Sequence, residues 1–72
     1  MPRKYEVTTS AIAAQGKHKG VLVRETLTLE AENESEERQR GAAKYIALNR
    51  FFERHGYNSQ LLLQTVKRAG SH

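Results

Sequence analysis

Between Val21 and Ala31 the chain reads VLVRETLTLEA, and apolar side chains recur at alternate positions. Val21, Val23, Leu27, Leu29 and Ala31 share one face of an extended segment; Leu22, Arg24, Thr26, Thr28 and Glu30 share the other. A strand with one apolar face must pair along its edge and bury that face against a second layer. The segment therefore argues against an all-helical fold and asks for another strand and something to cover both. One residue interrupts the pattern: Glu25 falls on the apolar face, where a bulge is expected to turn it outward.

The flanking segments supply both needs. Upstream, YEVTTSAIA sets Tyr5, Val7 and Thr9 on one face and Glu6, Thr8 and Ser10 on the other. With Gly16 and Gly20 between the two runs, they read as a β-hairpin. Downstream, ENESEERQRGAAKYIALNRFFERHG reads as a long helix. Asn33 or Ser35 can cap it, and Glu34, Glu36 and Glu37 sit in a first turn whose dipole favours acids. Glu34–Arg38 and Glu36–Arg40 are pairs of the favoured polarity, and Gly56 follows Arg54 and His55 as a stop. The stripe Gly41, Tyr45, Leu48 and Phe52 is expected to face the sheet, with Gly41 allowing close backbone approach. Ile46, Ala47 and Phe51 lie outside that stripe, a second apolar arc that one small sheet cannot cover.

The last segment, NSQLLLQTVKRAG, is less clear. As a strand, its faces Leu61/Leu63/Thr65/Lys67 and Leu62/Gln64/Val66/Arg68 are both mixed. As a helix, Gln60, Gln64, Lys67 and Arg68 gather on one side, with Asn58 or Ser59 as cap and Gly70 as stop. The expected fold is thus α+β: an antiparallel β-hairpin packed on one long helix, then a short C-terminal helix, with a third strand (ββαβ) as the alternative. Residues 1–4 read as a flexible basic start, 5–69 as a single small domain and 70–72 as a flexible end.

Size makes that domain hard to stabilise. A chain of 72 residues buries only about 60% of its unfolded surface. With no cysteine, disulfides and thiolate-rich zinc sites are excluded as staples. A second copy of the chain is the simplest remaining one, so a homodimer is expected. The net charge of +4 is segregated: Met1–Arg24 carries +4, Glu25–Arg40 carries −4 and Gly41–His72 carries +4. Such a two-signed surface suits orientation on a charged partner. No apolar run approaches the roughly 20 residues of a membrane-spanning helix, so no membrane partner and a cytoplasmic location are expected.

The chemistry-bearing residues point to binding. His18, His55 and His72 have no ligand spacing, so neither a metal nor a cofactor is expected. Ser10, Ser35, Ser59 and Ser71 fall in no nucleophile pattern, and the acids crowd an exposed helix start; no catalytic residue is expected. GKHKG differs from a phosphate-binding loop because a strand follows it, not a helix. Lys17, His18 and Lys19 at that hairpin tip, with Arg40, Lys44, Arg50 and Arg54 along the helix, form the expected contact set for DNA or RNA phosphates. Tyr5, Tyr45, Tyr57, Phe51 and Phe52 are too few and too core-like for a base-stacking platform. The expected function is a small nucleic-acid-binding accessory or regulatory protein. The alternative is a protein-interaction module, of the kind small bacterial or phage genes encode, docking through Ile46, Ala47 and Phe51.

Two partial resemblances accompany these readings. VLVRETLTLEAENESEERQRGAAKYIAL resembles the C-terminal half of a double-stranded-RNA-binding domain, with Ser35, Ala42, Ala43, Ala47 and Leu48 in the helix rhythm. It implies duplex RNA as ligand, although Glu36 and Glu37 stand where that family places lysines. RFFERHGYNSQLLLQTVKRAG is similar to the second half of ribbon-helix-helix repressors, which implies a second helix completing a dimer core. In that resemblance TLTLE is the ribbon that reads DNA.

Overall fold

A computed structural model describes residues 3–31 and 35–69. It is α+β: strands β1 (Arg3–Ile12) and β2 (Leu22–Ala31), helix α1 (Glu36–His55) and strand β3 (Gln60–Arg68). The three strands form one antiparallel sheet in the order β2-β1-β3, with α1 crossing from one edge to the other. The third strand, not a C-terminal helix, follows α1, and this removes the second helix on which the ribbon-helix-helix resemblance depends. The duplex-RNA resemblance keeps its strand pair and helix, but a strand follows that helix where the family ends. Arg3 and Lys4, expected in a flexible start, belong to β1; Asn33, Glu34 and residues 70–72 lie outside the described residues.

Alternation decides the faces of the sheet. Tyr5, Val7, Thr9 and Ala11 of β1 are almost fully buried on the helix side. Leu29 joins them, and Leu27 and Val66 pack against the same cluster from either flanking strand. Thr8, Thr26 and Thr65 form one row across the open face, with a hydroxyl–hydroxyl hydrogen bond of 3.0 Å between the first two. β2 pairs with β1 without a break, so no bulge exists at Glu25. The irregularity lies in β3 instead: Leu63 pairs with Ser10 and Leu61 with Ala11, which leaves Leu62 as the extra residue.

Ser35 caps α1 by accepting from the Arg38 N–H, and Glu36 and Glu37 occupy the first turn. The Gly56 N–H closes the other end on the Phe52 carbonyl, at φ 102°, where a Cβ would stand 2.9 Å from Gln15. The buried stripe is Gln39, Ala43, Ala47, Phe51 and His55, one to two residues off the expected Gly41, Tyr45, Leu48 and Phe52. The small side chains at 43 and 47 seat the helix on β1. A Cβ at Gly41 would meet nothing within 4 Å, so that glycine marks no close approach. Fully buried Gln39 accepts from the Tyr5 hydroxyl at 2.9 Å and from Arg3 at 3.0 Å. Glu36 pairs with Arg68 (3.5 Å) across to β3, not with Arg40.

Candidate nucleic-acid interface

The connection between β1 and β2 is shaped by two glycines, Gly16 at φ 84° and Gly20 at φ 80°. Their positive φ closes a tight tip: the Lys19 N–H donates to the Gly16 carbonyl at 3.2 Å and the Gly20 N–H to Ala13 at 2.8 Å. The tip does not stand free. Ala14 and Gln15 both donate their backbone N–H to the His55 carbonyl, at 3.0 and 2.8 Å, and so satisfy the C-terminus of α1. Ser59 completes the joint, accepting from Ala14 N–H and donating to the carbonyls of His55 and Gly56.

This seating brings the tip against the end of the helix. The rings of His18 and His55 lie 6.3 Å apart, while Lys17, His18 and Lys19 remain exposed. Arg50 and Arg54 occupy the last turns of α1, one turn apart and both exposed. Arg40 and Lys44 do not join them: at 1.5 Å per residue they lie about 21 and about 15 Å from Arg54 along the axis. Arg40 has structural employment, donating to the Val66 carbonyl at 3.3 Å and lying 5.8 Å over the Tyr5 ring. Lys44 is half-buried, and its carbonyl accepts from the Gln64 side chain at 2.9 Å. The seven expected contact residues therefore divide into those of the tip and helix end and a separate flank.

Beneath the tip lies an arrangement the alternation pattern concealed. Glu25 stays on the helix face because His55 and Arg54 receive it: its Oε2 is 2.7 Å from His55 Nε2 and 3.1 Å from Arg54. Its Oε1 is buried with no hydrogen-bond partner among the described residues. The signal was available in the sequence as an acid on an apolar face, with a basic helix end to meet it.

The expected docking arc is mostly interior. Phe51 is fully buried and Ala47 is 2% exposed, which leaves Ile46 alone at the surface. Both sit on the stripe that faces the sheet, so they cannot dock a partner while the domain is folded. The exposed apolar residues lie elsewhere, most densely at Leu61, Leu62 and Leu63. Among the described residues no group of three or more His, Asp or Glu is placed to hold a metal, and no helix is long and apolar enough to cross a membrane. Comparison with protein-family models, curated proteins and solved structures finds no match.

Proposed function

We propose that this is a nucleic-acid-binding accessory protein, without catalytic activity, that grips DNA or RNA phosphates where the hairpin tip meets the end of α1. One observation carries the reading. The hairpin connection is hydrogen-bonded to the end of α1 through Ala14 and Gln15, and the His18 ring lies 6.3 Å from His55, so the tip that carries Lys17 and Lys19 is tied to the helix end that carries Arg54. Glu25, one of the acids at this end, is already engaged by His55 and by one nitrogen of Arg54, whose guanidinium side chain stays 60% exposed. A cation cluster on an ordered backbone spends less entropy on binding than one on a mobile loop. Arg40 and Lys44 fall outside the contact set.

Four phosphate contacts give log K a slope of about −3.6 against log salt, a loss on the order of a hundredfold between about 50 and 200 mM. Fluorescence anisotropy on labelled single- and double-stranded DNA and RNA measures it directly and separates the two nucleic acids. Lys17→Glu with Lys19→Glu is expected to weaken binding more than tenfold and to halve the salt slope, with the circular dichroism spectrum unchanged. A folded double variant that binds like wild type removes the tip from the interface.

A further inference from the structure

We propose that the free edge of β3 is where a second copy of this chain adds, antiparallel and about a two-fold axis near Gln64, to make one continuous six-stranded sheet. The edge itself comes first. The Ala69 N–H donates to the Lys4 carbonyl, and the pairing of β3 with β1 continues in register from there to Ser10/Leu63. Antiparallel alternation then turns the backbone groups of Arg68, Val66 and Gln64 away from β1 and towards the open side. The Arg40 contact at the Val66 carbonyl fits that outward direction and leaves the carbonyl's second lone pair available.

Side chains make the same edge apolar. From Tyr57 to Val66 the chain carries no charge, and Leu61, Leu62 and Leu63 are 42%, 51% and 59% exposed. Edge strands in monomers are ordinarily guarded by charge, proline or a covering loop. Among the described residues, the guards on this edge are the bulge at Leu62, the Arg40 contact at the Val66 carbonyl and the two cations at the far end.

The occupant follows from matching. About a centre at Gln64, antiparallel pairing sets Leu62 opposite Val66 and Leu63 opposite Thr65, with outward backbone groups facing each other. The two Lys67 ammonium groups then stand about six residues, or about 20 Å, apart along the ladder. That exceeds the Debye length of about 8 Å at physiological salt. Parallel addition would instead align Lys67 with Lys67 and Arg68 with Arg68. Head-to-tail addition onto β2 would set Arg24 and Glu30 against the leucines, since those residues line the β2 edge. Tyr57–Arg68 holds four of the eight large apolar residues that stand exposed among the described residues.

Sedimentation velocity across a dilution series tests this. Wild type is expected to run as a dimer of the 8.2 kDa chain and to dissociate on dilution. Leu62→Lys should raise the dissociation constant at least tenfold with the thermal melt of the diluted monomer unchanged. Should that variant not fold, Leu62→Thr keeps a strand-compatible residue and should weaken the dimer in the same direction. Thr28→Lys on the β2 edge should leave the dimer intact. A wild-type monomer at every concentration leaves the edge to a foreign strand and overturns the proposal. So does a dimer that Thr28→Lys breaks and Leu62→Lys does not.

Discussion

β2 and β3 are both edge strands of one sheet, and they are finished differently. β2 has its helix-side face closed: Leu27 and Leu29 lie under α1, and Glu25 is tied to His55 and Arg54. Its open edge carries Arg24 and Glu30. β3 receives far less of the helix, because the Gln39–His55 stripe is seated on β1 and β2. Its three leucines stay in solvent, and no charge appears before Lys67. Of the seven leucines in the chain, Leu29 alone is buried. The difference teaches that this core is finished around β1 and β2 and left incomplete at β3.

The most severe way to break the comparison is to attack the finished side. Phe51→Ala removes a fully buried ring from the closed side and should cost about 3–5 kcal/mol, as much as a core of this size supplies. The expected result is an unfolded chain by circular dichroism. Leu63→Ala, half a sheet away on the open side, should cost under about 0.5 kcal/mol in the diluted protein. If both substitutions destabilise equally, β3 is as much core as β1. A smaller effect sharpens the contrast. Glu25→Ala leaves buried His55 without its carboxylate and should cost about 1–3 kcal/mol. For a domain of this length each kcal/mol lowers the melting temperature by about 4–8 °C. A melt that does not move would mean that the carboxylate is not what joins β2 to the helix.

Much of the finished side was legible in the sequence. Alternation at Tyr5, Val7 and Thr9 marked the buried face of β1, Ser35 was one of two candidate caps for the helix start and Gly56 marked its end. The helix face was not legible, for a physical reason. Tyr45, Leu48 and Phe52 are more apolar than Gln39, Ala43 and Ala47, but close seating on the sheet favours small side chains. Gln39 becomes tolerable inside because the Tyr5 hydroxyl and Arg3 satisfy it. β3 was obscured by its bulge, which shifts the period of two at Leu62, and by exposure on both faces, which removes the need for alternation. At the candidate site, the cations of the tip and the helix end were visible as residues. That the hairpin connection is tied to the end of α1 depends on backbone bonds from Ala14 and Gln15 to His55 that no residue pattern records.

The unfinished edge is the centre of this account, and amide hydrogen exchange at low and high protein concentration tests it at single residues. The outward N–H groups of Gln64 and Val66 on β3 should exchange more slowly as concentration rises, while those of Thr26 and Thr28 on the β2 edge stay as they were. Exchange at Gln64 and Val66 that ignores concentration, or slowing shared equally by the β2 edge, would contradict it.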